Sequence, residues 1–419
     1  MHRNRNVALA AVLSLAVASC ADAQRTAHPP TVTDSAGIRI VTNVLPTTTA
    51  ATVARAPSVD IGGGSEQAGE LSMVVGAVRL GDGRIAIAEQ STRSIKIFEA
   101  KGRFVRAMGR QGAGPGEFSS LTRLDLLAGD SLAAYDGLRA TLTVFDTTGR
   151  VARIERLAAG PGGFKLEGLL GDGTMVLSRA YNTLFGRTSR LERDPITYVA
   201  VRPQSSAADT IVQVSGSDVY LFAGQDFSSR RELPFGRVSA IAVGRDRLFI
   251  GTGDSWQIET RAPDGRLVAF HRVRHTPADV TKPEIARFKR EYMARMKRVR
   301  VEATGGGGGG PDMRGAMIAQ AERMLESVPY PETHALYDSL LTGQDAELWV
   351  RRAHPFSGER SDWTVLGRDG AASGTVTLPG GMRRFHIGTD FIVGMTKDSD
   401  DVEHVAVYPL RRTPAGAVR

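Results

Sequence analysis

The stretch that decides the fold reads RIAIAEQ at residues 84–90, SIKIFEAKGRFVRAMGR at 94–110 and QGAGPGEF at 111–118. Short apolar runs alternate there with polar turns, which is typical of successive strands in one small antiparallel sheet. A single sheet of this size cannot bury both of its faces. We therefore expect further copies of the stretch to cover it.

Such copies recur through the chain, each marked by a glycine- and aspartate-containing turn just before a strand. The marked turns are at 81–83, 129–131, 171–173, 244–246, 343–345 and 388–390, at intervals of 48, 42, 73, 99 and 45 residues. Three intervals are one repeat long, and two are a repeat plus an insertion. Six repeats of four strands predict an all-β fold, a six-bladed β-propeller over residues 36–412.

The blades are expected at 71–118, 119–160, from 164 onward, 233–273, 335–378 and 382–410. In the third blade, we interpret 181–194 as a long loop and 196–201 and 210–214 as outer strands. The last repeat has room for only three strands, at 384–387, 391–395 and 404–409. We predict that an N-terminal strand near 53–61 supplies the fourth and closes the ring.

Residues 275–331 form the largest insertion, between blades 4 and 5. Apolar residues recur at spacings of three and four from Ile285 to Val299, which predicts an amphipathic helix with a basic opposite face. Six glycines at 305–310 separate it from a second helix over 311–327. We expect a helical hairpin whose apolar stripes pack inside the protein. Insertion of the basic helix into anionic lipid is the alternative.

The first 20 residues have the pattern of a bacterial lipoprotein signal peptide. A short basic start precedes an apolar run over 7–17, which is too short to span a membrane, and the segment ends at Cys20, the only cysteine. We predict lipidation of Cys20, a flexible tether over 21–35, and anchoring in the cell envelope, on the periplasmic side or at the outer membrane. The alternative is an ordinary secretory signal with a chance cysteine.

The formal net charge of +8 falls to +6 without the leader, since Arg3 and Arg5 are lost with it. Much of the remaining excess lies in the predicted basic helix. The charge is thus local, and we expect no nucleic-acid partner.

Residues 77–118, above all GRQGAGPGEF at 109–118, resemble the NHL-like six-bladed β-propeller lipoproteins, as do the 34–43 segment and a helical insertion before the fifth blade. The resemblance implies the propeller fold and a lipid anchor. It supplies no catalytic residues.

The candidate channel-face residues follow the second strand of each repeat. They are Glu89, Asp136, Arg179, Asp254, Arg351 and Asp398. The set is not a uniform ring of carboxylates, so we predict no cofactor; calcium, as in propeller lactonases, is the alternative. The acidic run 397–403 is interpreted as a hairpin turn rather than a cation site, and the scattered histidines do not suggest a zinc site.

These observations favour a binding or scaffolding module for a protein, peptide or glycan ligand. The alternative is a metal-dependent, lactonase-like propeller lyase or hydrolase with its site in the central channel. Three or more carboxylates or imidazoles converging in the channel would favour the enzyme. A wall of mixed arginine, serine and apolar groups would favour binding.

Overall fold

The computed structural model of the chain describes residues 29–63, 70–157, 164–180, 188–205, 207–223, 228–298, 313–353, 356 and 360–413. The predicted signal peptide, Cys20 and the six glycines at 305–310 lie outside these residues.

Six antiparallel sheets follow one another along the chain. Blade 1 consists of the strands Val74–Arg79, Ile85–Glu89, Ser94–Phe98 and Phe104–Met108. Blade 2 consists of Leu121–Leu126, Leu132–Asp136, Thr141–Phe145 and Val151–Arg156. Blade 3 consists of Lys165–Leu169, Met175–Ala180, Pro195–Val201 and Asp209–Ser215. A short parallel pair, Arg110–Gln111 and Glu117–Phe118, forms the crossing from blade 1 to blade 2.

The second half of the ring repeats the arrangement. Blade 4 consists of Ala240–Val243, Leu248–Gly251, Gln257–Arg261 and Leu267–Arg274. Blade 5 consists of Tyr337–Thr342, Leu348–Arg352, Ser361–Leu366 and Ala372–Leu378. Blade 6 contains Arg383–Ile387, Phe391–Lys397 and Glu403–Arg412.

Hydrophobic packing between blades holds the ring together. The second and third strands of blades 1 and 2 are buried at every residue, because neighbouring sheets cover both of their faces. A separate apolar cluster fills each of the six seams, including the seam between blades 6 and 1, where Val393 packs with Ile87. The first strands of blades 1 to 5 contact one another in turn, and that of blade 6 contacts that of blade 1, which places them around the central axis. The predicted six-bladed β-propeller is confirmed.

N-terminal strands close the ring. Val59–Ile61 pairs antiparallel with Val405–Val407, and Ala51–Val53 pairs with Leu410–Arg412. The predicted fourth strand of the last blade is therefore confirmed, and it is made of two short pieces.

An N-terminal hairpin lies on the rim of blade 4. Its strands are Thr31–Ser35 and Ile38–Val44, and the second runs parallel to Leu267–Arg274. The last five residues of the predicted flexible tether, 21–35, are thus a strand. Pairing with Ile38–Val44 orders them, and the side chain of Asn43 fixes that strand to Gly370 and Ala372 of blade 5 at 3.0 and 2.8 Å.

Three segments extend beyond the blades. A small accessory sheet combines Arg190–Glu192, Val219–Ala223 and Ser228–Glu232, in that order across the sheet. Two helices follow blade 4, α1 at Lys282–Arg298 and α2 at Met313–Ser327. Neither α1 nor α2 combines the length and apolar character that a membrane-spanning helix requires.

Candidate functional site

Glu89 and Asp136 are buried, and each accepts a hydrogen bond from the backbone segment that leads into its own blade. The Glu89 carboxylate accepts a hydrogen bond from the backbone N–H of Ser72 at 2.8 Å and pairs with Lys96 at 2.7 Å. Asp136 accepts from the backbone of Ser119 at 2.6 Å in the same way. Each carboxylate binds the backbone 17 residues before it, just ahead of its blade's first strand. These two carboxylates fix the backbone that leads into their blades.

Asp254 belongs to an ion-pair network. It pairs with Arg193 at 2.5 Å and with Arg237 at 3.0 Å, and Asp218 bridges the same two arginines at 3.7 and 3.0 Å. Desolvation opposes ionisation of Asp254, but the bonds from Arg193 and Thr252 outweigh it and lower its pKa. The network joins the accessory-sheet region to blade 4.

The other three predicted residues also have separate partners. Arg351 pairs with Asp338, and the Arg179 guanidinium lies 5.7 Å from the centre of the Phe164 ring. Asp398 accepts from the backbone of Asp400 and Val402 within its own hairpin turn, as expected for 397–403. Each of the six predicted residues therefore has partners of its own.

Charges along the first strands of blades 2 and 3 are neutralised in pairs. Arg123 pairs with Asp125 at 2.6 Å and Lys165 with Glu167 at 3.0 Å, and the Ser178 hydroxyl donates to Glu167 at 2.6 Å. Among the residues that the structure describes, no group of three or more His, Cys, Asp or Glu could hold a metal ion.

Two arginines on the first strand of blade 6 were not predicted from the sequence as site residues. Arg383 donates to the backbone oxygen of Val74 at 3.1 Å, and Arg384 lies 4.7 Å from the centre of a Trp363 ring. Burial, and then the nearby charge of Arg351, lower the pKa of Arg384 to about 10. The sequence signal for these two arginines is their position at the start of the first strand of blade 6.

A concave site lies among the segments that are inserted after the strands of blades 3 and 4. Arg190–Glu192 is inserted after the second strand of blade 3, the other two accessory strands after its fourth strand, and α1 and α2 after the fourth strand of blade 4. In an antiparallel blade, the second and fourth strands end on the same side. All three insertions therefore emerge on one side of the ring, here called the insertion face.

The helices are fixed at their base. Thr281 and Glu284 form a capping box at the start of α1, with the Thr281 N–H donating to Glu284 at 2.9 Å and the Glu284 N–H to Thr281 at 3.4 Å. The insertion's two ends are joined by Val280 N–H to Glu332 at 2.8 Å and by His334 N–H to Ala278 at 2.9 Å.

The apolar stripes of the helices face the accessory sheet. Met324, Leu325 and Val328 of the α2 segment are buried against Tyr220 and Phe222 of the sheet. Phe288 and Tyr292 of α1 are only partly buried in the same cluster. The expected internal packing is therefore present, but its main partner is a sheet that was not predicted.

A cavity of about 610 Å³ remains between the sheet and the two helices. We call it the insertion cavity. Its apolar lining includes Tyr220, Phe288, Tyr292, Met296, Met324 and Leu325. Its size and aromatic lining are typical of ligand pockets.

Arginines supply positive charge at this cavity. Arg230, Arg231 and Arg295 line it. Arg230 is neutralised by Glu192 at 2.6 Å and Asp194 at 3.0 Å. Arg231 is exposed and Arg295 lies 5.5 Å from the Tyr292 ring, and neither has an acidic partner among the described residues. The cavity can thus accept an apolar group next to an anionic one.

The sequence contains only a partial signal for this site. The long repeat intervals of 73 and 99 residues located the insertions. They could not show that Arg190–Glu192, interpreted as loop, pairs with a strand about 30 residues later.

The family described as "6-bladed beta-propeller" (DUF5128) matches residues 70–161, which confirms the expected resemblance over that part of the chain. No curated protein matches the chain.

Several solved structures align with most of this chain at low identity. A candidate exported protein from Bacteroides fragilis is 13% identical with a TM-score of 0.45, covering 89% of this chain and 99% of that one. A DUF4221 member from Bacteroides vulgatus is 10% identical with a TM-score of 0.47, over 87% and 99%. Virginiamycin B lyase from Staphylococcus aureus is 8% identical with a TM-score of 0.35, over 81% and 95%.

Proposed function

We propose that this six-bladed β-propeller is an envelope-anchored binding module whose ligand occupies the insertion cavity. The observation that carries the proposal is a cavity of about 610 Å³ with an aromatic lining and, at its edge, two arginines that have no acidic partner in the described part of the chain. Ligand-binding cavities in proteins commonly combine an apolar lining with a few charged groups that orient the ligand. A protein or peptide segment, or a glycan fragment, is the ligand class that we consider.

A cavity-filling variant tests this function. Met296 lies on the cavity side of α1, and Ala294 is exposed on the same helix. We expect Met296→Trp to abolish capture of the envelope ligand by the immobilised protein, because the indole occupies the space that the ligand needs. Ala294→Trp adds the same side chain elsewhere and should capture as the wild type does.

The comparison uses mass spectrometry of material retained from solubilised envelopes, with circular dichroism to show that both variants are folded. Equal capture by the two tryptophan variants would exclude the cavity as the binding site.

The location rests on the sequence of the first 20 residues. Lipidation of Cys20 would tether the domain to a membrane, with residues 21–30 as the link. Thr31 pairs with Thr42, which pairs with Arg272 near the end of the last strand of blade 4. The link would therefore join the domain on the side of the insertion face. We propose a lipid-anchored, extracytoplasmic protein on the periplasmic side or at the outer membrane.

Replacement of the acceptor cysteine tests the anchor. Cys20→Ser should move the protein from the membrane fraction to the soluble envelope fraction, because it removes the only residue that can carry the thioether-linked lipid. Fractionation followed by immunoblotting measures this, with Ser19→Ala as the control. Retention of the Cys20→Ser protein in membranes would contradict lipid anchoring.

A metal-dependent propeller lyase or hydrolase is the other candidate. No specific contact in the described part of the chain favours it.

A further inference from the structure

The accessory sheet presents an edge to the insertion cavity. Val219–Ala223 is its central strand and Ser228–Glu232 is one of its outer strands. In the described part of the chain, no strand pairs with the other side of Ser228–Glu232. An outer strand of this kind offers N–H and C=O groups at alternate residues to a further strand.

The register shows which side chains face the helices. Tyr220 is directly opposite Arg231 and Phe222 is opposite Ser229. Directly opposed residues on antiparallel strands project to the same side of a sheet. Since Tyr220 and Phe222 pack against α2, Arg231 and Ser229 project to the helix side as well.

We propose that the ligand is an extended peptide segment that adds to Ser228–Glu232 as a fourth strand of the accessory sheet. This inference rests on the proposed function and names its ligand class. Main-chain hydrogen bonds to the outer strand supply affinity, and alternate side chains enter the cavity.

The positive charge and the apolar lining of the insertion cavity indicate which side chains the peptide carries. An acidic side chain lies beside Arg231, whose guanidinium has no acidic partner among the described residues. A large apolar side chain, two positions away on the same side of the added strand, lies against Tyr292 and Met296. The peptide therefore carries an acidic residue and an aromatic or large aliphatic residue separated by one position.

A random seven-residue peptide display library, selected on the immobilised full-length chain in detergent, tests the proposal. We expect enrichment of that alternating pattern. Binding of the synthetic consensus peptide, measured by fluorescence anisotropy, should weaken about tenfold or more in Arg231→Glu. Arg266→Glu changes an exposed arginine in a turn of blade 4 and should leave binding unchanged.

Backbone methylation distinguishes strand addition from other modes. N-methylation of one alternate set of peptide amides should abolish binding, because those amides donate to the outer strand, whereas methylation of the other set should be tolerated. Equal tolerance of both sets would overturn strand addition.

Two further outcomes would also overturn the inference. If the library gives no enrichment while envelope capture still depends on Met296, the cavity binds a ligand of another class and the proposed function survives. If vesicles containing phosphatidylglycerol bind the protein and Arg231→Glu prevents it, the basic surface serves lipid rather than peptide.

Discussion

At the scale of single residues, buried carboxylates determine how neighbouring strands are connected. Glu89 and Asp136 accept backbone N–H groups at equivalent places in blades 1 and 2. An ionised acceptor makes a stronger bond than a neutral one, and a buried charge without partners is costly. The same sequence position holds Arg179 and Arg351 in other blades, so a regular position in the repeat does not imply one shared site.

One close approach at this scale predicts a large loss of stability. The Gly370 backbone lies against the ring of buried His271, so an added Cβ would be 2.1 Å from Nδ1, and the glycine has a φ of +84°. We expect Gly370→Ala to lower the free energy of unfolding by roughly 3 kcal/mol, from overlap and backbone strain together. Gly381 has a φ of +69° but open space around it. Gly381→Ala should cost only about 1 kcal/mol in the same urea titration. Similar losses for the two variants would contradict the overlap.

A partly buried histidine, His386, predicts sensitivity to acid. Burial, and then the charge of Arg79, lower the pKa of His386 to about 4, and its Nδ1 accepts the Arg79 N–H at 3.2 Å. An unfolded histidine titrates near its ordinary pKa of about 6.5. Between these values the unfolded chain binds the proton more tightly, so stability is complete above pH 6.5 and falls towards pH 4.

The amide of His386→Gln can accept the same bond without titrating. Between pH 7.5 and 4.5, the variant should lose roughly 2 kcal/mol less unfolding free energy than the wild type. Urea titrations at the two pH values measure this difference. Equal losses would mean that His386 does not remain neutral in the folded protein.

At the scale of elements, local signals locate the strands and helices, but not all of their partners. Asp-Gly and similar turns mark the blade hairpins, since each is formed by residues close in sequence. The accessory sheet requires that the strand of Arg190 pair with that of Leu221. The N-terminal hairpin joins blade 4 because Ile40 pairs with Phe270. Nothing in a three-residue strand specifies so distant a partner. The insertion cavity could not be predicted for the same reason, because its walls come from two separate insertions, after blades 3 and 4.

The start of α1 gives the prediction at this scale. Thr281→Ala removes both hydrogen bonds of the Thr281 hydroxyl with Glu284. We expect α1 to lose about 1 kcal/mol of local stability, seen as faster hydrogen exchange of its amides by mass spectrometry. Thr276→Ala changes an exposed threonine just before α1 and is the matched control. Unchanged exchange in Thr281→Ala would show that packing alone holds the helix.

At the scale of the whole molecule, the ring depends on strands that are distant in sequence. The seam between blades 6 and 1 contains Ile61 from the N-terminal region beside Val405 and Val407. The side chain of His404 reaches back to Asp60 at 3.0 Å. Strand pairing therefore joins the beginning and end of the domain without a covalent link.

Two truncations distinguish the contribution of the ring-closing strands to stability from that of the N-terminal hairpin. A chain that begins at residue 45 lacks only Thr31–Ser35 and Ile38–Val44, whereas one that begins at residue 62 also lacks Ala51–Val53 and Val59–Ile61. The longer truncation, which begins at residue 62, exposes the edge of the strand Glu403–Arg412 and the apolar seam beneath it. The lost strands contain Ala51 and Ile61, which are buried, and Val53 and Val59, which are partly buried. Since fully burying a valine or isoleucine side chain contributes about 1.5–3 kcal/mol, their loss removes a substantial part of a typical folding free energy. We expect the longer truncation to aggregate or unfold near room temperature and the shorter one to remain a folded monomer, as judged by gel filtration and thermal melts. Comparable melting temperatures for the two would mean that blade 6 is stable with three strands, and that the N-terminal strands do not close the ring.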